Sequence, residues 1–540
     1  MTTQAIHRVA KNTGILYLRM AITVFISLYA TRLTLTALGI EDFGLYNLVG
    51  GVIAMLGFLN ASMASASQRF MSFAQGEGDL DKIKRIFNMS TLLHLGIAVV
   101  VVIVFEIAGY FFFNGLLNIE PDRLPIAKLV YQFMVASTLF TIISVPYEAV
   151  ITSHENMLFY AIVGIIESVL KLAIALYISY GTLLLPTGLS VTTEDLTFTY
   201  SLFDNLVIYG LLMALLTILM LLVKQFYCHK KYPECEISFK KHYDKTLLKQ
   251  ISGFAGWSFL GSASSMLSFY GQGMVMNMFF GTAINAAQGI ASQVSGQLSA
   301  FATTLMTALN PMIAKSEGSG NRLLMLKAAM LGSKVSFFLI MVFHIPFLIE
   351  TSYILKLWLK NVPDFTVIFC RLLLLRILID QLFIPLKSSI SAVGNIKNYQ
   401  ISETLLMLFP LPITYFLFTK GYPVYALYMV FIVHSLLLAL IILYFTKKNC
   451  QLSITEFFCK VIARCVSSFI LVFVISLIPH YLVETGLIRL LVVTLVSFIS
   501  YLIIVFFVGL TFEERLNLKK LGSVISNKLI SFSFKRKLIF

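Results

Sequence analysis

From one end of the 540-residue chain to the other, long apolar runs alternate with short polar stretches that hold most of the charge. A bilayer-spanning helix needs roughly 20 apolar residues, and the runs are long enough for fourteen, near 12–37, 43–66, 87–113, 127–150, 158–180, 200–223, 250–280, 283–312, 329–349, 365–390, 399–419, 424–446, 461–479 and 487–511. An outer-membrane barrel would instead show alternating segments of about 10 residues. The pattern therefore predicts an all-α polytopic membrane protein. The first run is too long for a signal core and no small-residue cleavage site follows it, so it is expected to be the first spanning helix.

The pattern repeats once. Gly39 closes the first predicted helix and Gly281 the seventh, 242 residues on, and Gly78 pairs with Gly320 at the same offset, each with a basic cluster just beyond. Pro146 and Asn156 match Pro385 and Asn395 at an offset of 239. Two six-helix bundles follow from this, 1–223 and 250–446, joined by a basic linker at 224–249. Two extra helices at 447–511 and a basic tail at 512–540 complete the plan. An even number of spans gives both copies the same orientation, and in transporters with such repeats the substrate path commonly lies between them.

Composition agrees: 58% of residues are hydrophobic, 12% are charged and the mean hydropathy is +0.87. The net charge of +15 would suit nucleic acid, but its placement argues against that partner. Of the 41 Lys and Arg, 27 fall in loops on the side of the termini, 4 in the opposite loops and 10 within spans. By the positive-inside rule both termini are cytoplasmic. The tail Lys535-Arg536-Lys537 is placed to meet anionic membrane lipid. The six cysteines follow neither a disulfide framework nor zinc spacing, although Cys228 and Cys235 share a loop with His229 and His242. No metal and no cofactor is expected. Motifs for nucleotide, zinc-protease or dinucleotide chemistry are missing, and Ser153-His154-Glu155 stands alone, so no catalytic residue is assigned.

Candidate binding residues come from polar groups at membrane depth. Arg19 lies two turns into the first span, where a cation faces a polar cavity or a counter-charge. Arg32, nearer the outer end, can snorkel or pair with Glu41 or Asp42. In the eighth helix Asn285, Gln288, Ser292, Gly296, Ser299, Thr303, Thr307 and Asn310 share one face at 3.6 residues per turn. Glycine and serine there would suit close packing; Asn285, Gln288 and Asn310 argue for a water-filled face. Glu167 with Lys171, and Arg376 with Asp380, read as neutralised i,i+4 pairs, whereas Arg371 has no such partner.

The string Leu38-Gly39-Ile40-Glu41-Asp42-Phe43-Gly44-Leu45-Tyr46 follows an Arg-bearing helix and precedes a Gly76-Glu77-Gly78-Asp79 loop. With the two bundles, the linker and the two added helices, it resembles the bacterial polysaccharide and O-antigen flippases of the multidrug/oligosaccharidyl-lipid/polysaccharide exporter superfamily. That resemblance implies an inner-membrane transporter that moves undecaprenyl-pyrophosphate-linked oligosaccharide outward by alternating access through a cationic cavity. By position, the pyrophosphate falls to Arg19, then Arg69 and Arg371, while the polar stripe of the eighth helix serves the sugar hydroxyls. The polysaccharide polymerase machinery is a further implied partner. A cation-coupled multidrug antiporter of the same superfamily is the alternative, and would want a carboxylate from Glu106, Glu148, Glu167 or Asp204. A glycosyltransferase or polymerase is disfavoured by short outer loops.

Overall fold

The computed structural model describes residues 3–55, 57–116, 119, 121–181, 204–359 and 361–516, and no strand occurs among them. The outer loop expected at 181–199 lies, beyond Gly181, outside the described residues, as does the tail from 517 onward with its Lys535-Arg536-Lys537. The helices run in the expected order: α1 Thr3–Met55, α2 Gly57–Glu77, α3 Leu80–Phe111, α4 Leu124–Ser153, α5 Met157–Leu176, α6 Asn205–Lys231, α7 Lys245–Phe280 and α8 Thr282–Gly318. Then come α9 Arg322–Leu359, α10 Thr366–Val393, α11 Lys397–Leu408, α12 Pro410–Thr419, α13 Ala426–Cys450, α14 Ala463–Leu482 and α15 Leu487–Ile504.

Ten helices among the described residues are long and apolar enough to span a membrane. The remaining expected spans, 43–66, 250–280, 283–312 and 365–390, are helical over nearly their whole length but more polar. Small polar residues dilute α7 and α8, and Arg371, Arg376, Asp380 and Lys387 interrupt α10. The span at 399–419 is divided at Phe409, which keeps helical backbone (φ −71°, ψ −36°), while Pro410 has no N–H to continue the hydrogen-bond ladder.

The expected outer loop at 38–42 is not a loop. α1 continues through it, kinked at Gly39 (φ 78°, ψ 174°), because a glycine can leave helical geometry for one residue without a Cβ penalty. Gly281, its counterpart, has φ 76°, and Gly78 and Gly320 have 78° and 72°. The second anchor pair matches less fully. Pro146 and Pro385 both lie inside helices, but Asn156 caps α5 through Phe159 N–H whereas Asn395 accepts a bond from Asn449 through its backbone carbonyl.

Two compact units divide the chain. The first holds 14–266 together with 314–320; the second holds the described residues of 1–13, 267–313 and 321–540. In the first, Val101, Phe105, Tyr131 and Val135 form a core between α3 and α4, and α6 packs on α4 through a second cluster with Val130, Leu206 and Val207. In the second, Phe369, Leu427, Tyr428 and Phe431 join α10 to α13. The helices closing the second unit are arranged inside-out. On α15 Ser497 and Ser500 are buried while Leu491, Leu495, Phe498 and Leu502 are exposed. That is the packing of a helix whose outer solvent is hydrocarbon.

The linker is docked rather than free. α6 extends through its first part to Lys231, and the Asn88 side chain donates to the Glu236 carbonyl and accepts from Ser238 N–H, both at 2.8 Å. Glu234 is 1% exposed, held by Gln75 (3.1 Å) and by His154, whose ring stacks on Tyr232.

Candidate functional site

Arg19 sits on the apolar first limb of α1, half-buried. Its guanidinium lies over the Tyr160 ring, 4.5 Å from the centroid. One turn further along α5, Gly164 leaves the space the guanidinium fills: a Cβ there would come 2.5 Å from Arg19 Cζ. α5 thus offers a ring to stack on and a gap to occupy, both suited to a delocalised planar cation. Among the described residues no carboxylate lies within ion-pair distance of Arg19. Glu167, on the same helix as Tyr160, is taken by Lys171 at 2.7 Å. Sequence reasoning missed Tyr160 and Gly164. Their i,i+4 spacing marks a shared face, but nothing in one sequence says that α1 lies against it.

The other expected cations are placed differently. Arg69 is enclosed by Phe70, Phe73 and Phe254 at 4.5, 4.8 and 5.6 Å, with the charges of Glu77 and Glu317 acting on it. Arg371 is exposed, and its Nε donates to the Leu348 carbonyl at 3.2 Å. Arg32 is exposed too, and Asp42 pairs with Arg123 instead, at 3.3 Å. Arg19 and Arg69 belong to the first unit and Arg371 to the second.

The polar stripe of α8 is accessible along most of its length. Asn285, Gln288, Ser292, Ser299 and Asn310 are half-buried and Thr303 is exposed, while the opposite face, with Ala287, Ala291, Ala302, Leu305 and Leu309, is packed. Gln288 Oε1 lies 3.1 Å from where a Cβ of Gly273 would be, so α7 runs close by. Asn310 is engaged: its Oδ1 accepts from Ser388 Oγ at 2.9 Å, tying the stripe to α10. The buried Asn285 Oδ1 has no hydrogen-bond partner among the described residues.

The four candidate carboxylates Glu106, Glu148, Glu167 and Asp204 each have a neighbour. Lys224 bonds Glu148, Arg123 bonds Asp204 at 2.7 Å, Lys171 takes Glu167, and Gln132 donates to Glu106 at 3.2 Å. In the second unit Arg376 is 3.6 Å from Asp380, as the spacing predicts, and also donates to Ser435 Oγ at 3.2 Å and faces the Phe431 ring at 4.7 Å. Among the described residues no three His, Cys, Asp or Glu side chains are grouped to hold a metal ion.

Comparison with solved structures gives one answer for the fold. The chain superposes on the crystal structure of a MATE point mutant with a TM-score of 0.68 at 12% identity, covering 82% of this chain and 96% of that one. The fold is that of the MATE transporters. An outward-facing multidrug resistance MATE family transporter of the MOP superfamily is similar with a TM-score of 0.66 at 13% identity, over 82% of this chain and 96% of that one. So is a MOP superfamily transporter from Pyrococcus furiosus (TM-score 0.65, 13% identity, 83% and 96%), whose binding pocket is described as of reverse polarity, suggesting a different function. Residues 16–177 match the MatE family model. The search among curated proteins found no match.

Proposed function

We propose that this MATE-fold protein is a transporter, not an enzyme, that flips a polyprenyl-pyrophosphate-linked oligosaccharide across the bacterial inner membrane by alternating access, with Arg19 binding the pyrophosphate. The observation that carries this reading is the state of Arg19, a membrane-depth guanidinium resting on an aromatic ring with no acid beside it. Such a group keeps its hydrogen-bond fork free for an anion, and phosphate oxygens fit that fork bidentately. The accessible hydroxyls and amides of α8 are the kind of surface that sugar hydroxyls bind. Arg69 and Arg371 are secondary contacts in this proposal, because each already has partners.

A second reading, a cation-coupled multidrug antiporter, is favoured by how the solved relatives are described. Against it weighs that the four candidate acids are engaged, three by cations and Glu106 by Gln132, since an antiporter needs a carboxylate free to exchange its ion. One experiment separates the two. The purified protein is reconstituted in vesicles and given either a fluorescent polyprenyl-pyrophosphate oligosaccharide or a lipophilic cationic dye with an imposed proton or sodium gradient. Leaflet transfer of the labelled lipid, lost in Arg19→Ala, supports the flippase. Gradient-driven dye efflux that is indifferent to Arg19 replaces it with the antiporter.

A further inference from the structure

The helix ends α2 and α8 meet in a way that neither the cargo nor the fold explains. Gly76, in the last turn of α2, is so close to the last turn of α8 that a Cβ would lie 2.9 Å from Ser319 N and closer still to the Lys315 carbonyl oxygen. Gly318 does the same in reverse: its Cβ would lie 2.7 Å from Phe73 C and closer to the Phe73 oxygen. These atoms are backbone and cannot swing aside. A glycine Hα points where a Cβ would, so each glycine directs a Cα–H at the other helix's carbonyl, a recurring contact of close helix crossings.

The contact is self-complementary. Gly318 is Gly76 displaced by 242, the offset already set by the Gly39/Gly281 and Gly78/Gly320 pairs, and Lys315 is Phe73 displaced by the same amount. Residue and partner therefore exchange places, as across a two-fold axis. The flanking turns agree. Gly78 and Gly320 carry the positive φ that ends each helix, and there a Cβ would meet nothing. Asp79 accepts from Lys82 N–H and Asn321 from Leu324 N–H, both at 3.0 Å, so each turn caps the next helix alike. Ala74 and its counterpart Ser316 are 0% and 5% exposed. Both sides of the crossing belong to the first unit, although the rest of α8 belongs to the second. Lys315 is further held by Glu155 at 3.8 Å.

We propose that this crossing is a latch. On the side that the positive-inside rule makes cytoplasmic, residues 73–76 and 315–318 close against each other when the inner mouth is shut and part when it opens. The two glycines are there to let the backbones touch. The proposal rests on the chain being a transporter but not on which cargo it carries.

The test uses the full-length protein in a Cys459→Ser background, since Cys459 is the exposed cysteine among the described residues. With Ser316→Cys added, a membrane-impermeant maleimide should label slowly. Gly76→Ala and Gly318→Ala should each raise the labelling rate about tenfold or more and bias the protein towards the inward-open form. Gly96→Ala, on α3, where a Cβ meets nothing within 4 Å and φ is not positive, should leave labelling slow. Unchanged labelling in both wedge variants, purified as monodisperse protein, overturns the latch. No cargo is needed for this measurement, so it stands whichever transport reading holds. Independently, Ala74→Cys with Ser316→Cys, bridged by a short bifunctional thiosulfonate, should arrest transport of either labelled lipid or dye until reductant is added. Transport that continues through the bridge overturns the proposal, even if the alanine variants fail to fold.

Discussion

Arg19 allows the most detailed quantitative prediction. A charged hydrogen bond from a guanidinium to a phosphate oxygen contributes roughly 1.5–3 kcal/mol, which converts to about 10- to 150-fold in affinity. Arg19→Ala should weaken binding of a pyrophosphate-linked lipid by that factor. Arg19→Lys keeps the charge but loses the planar fork, and should cost about 10-fold. The Tyr160 ring, 4.5 Å from the guanidinium, contributes about 0.5–1 kcal/mol to holding it, so Tyr160→Leu should cost only about 2- to 5-fold. Gly164→Ala is the most informative variant. It touches neither charge nor ring, yet its Cβ would come 2.5 Å from Arg19 Cζ and must push the guanidinium off its seat. Because the displaced atoms are the end of a flexible side chain, the fold should survive, and the loss should resemble that of Arg19→Lys. The assay is equilibrium binding of fluorescent polyprenyl-pyrophosphate oligosaccharide in nanodiscs, with the dephosphorylated lipid as control. If Arg19→Ala binds the phosphorylated ligand as the parent does, or loses the control ligand equally, the anion-site argument is wrong.

Three further outcomes follow from other contacts. Glu350, 1% exposed, receives Arg489 at 2.9 Å and His480 at 2.7 Å, so Glu350→Gln should lower the thermal midpoint in detergent by the equivalent of about 3–5 kcal/mol, the usual cost of breaking a buried ion pair. The caps Asp79 and Asn321 should each contribute about 1 kcal/mol, and alanine at either should destabilise by similar amounts in denaturant titrations if the two turns are equivalent. Burial alone would raise the Glu234 carboxyl, but hydrogen bonds from His154, its own backbone and Gln75 outweigh that and hold it below its ordinary value of 4.5. A carboxyl depressed in the folded state stabilises above its unfolded pKa and stops doing so as pH falls through the folded one. Docking of 232–244 should therefore weaken as pH drops below 4.5, with faster amide exchange at Cys235 and Ser238, and Glu234→Gln should abolish that pH dependence.

Hydropathy made the helices legible because the solvent on both sides of the argument is simple: an apolar run of sufficient length has nowhere else to go. It failed at 38–42, where a single glycine kinks α1 without ending it. The Arg376–Asp380 pair was legible from its spacing, but not that Arg376 also reaches Ser435 on α13. The polar face of α8 was readable from one period of 3.6, since every member lies on one element. The surroundings of Arg19 were not, because Tyr160 and Gly164 reach it only after α1 and α5 pack. The glycine crossing shows a subtler loss. Its offset was on the page in Gly78 and Gly320, but those two serve the turn's positive φ, and the residues that touch are two positions earlier.

The charges inside the spans make a final argument about Arg19. Lys171, Lys334, Arg376, Lys387 and Arg489 each have a carboxylate partner. Arg464 and Arg371 donate to backbone carbonyls, while Arg32 and Lys128 are exposed. Arg19 alone of these ten, among the described residues, is half-buried with only a ring to face. A cation left so at membrane depth is costly to the fold, which makes it a candidate for function. The consequence is testable with methionine, which matches arginine's length without its charge. Arg19→Met should leave the thermal midpoint unchanged or raise it, since replacing an unmatched charge by an apolar group is often worth about 1–4 kcal/mol. Arg376→Met, which strands Asp380, should lower it by the equivalent of about 3–5 kcal/mol. If Arg19→Met destabilises as much as Arg376→Met does, Arg19 is a structural residue, and the pyrophosphate must be held elsewhere.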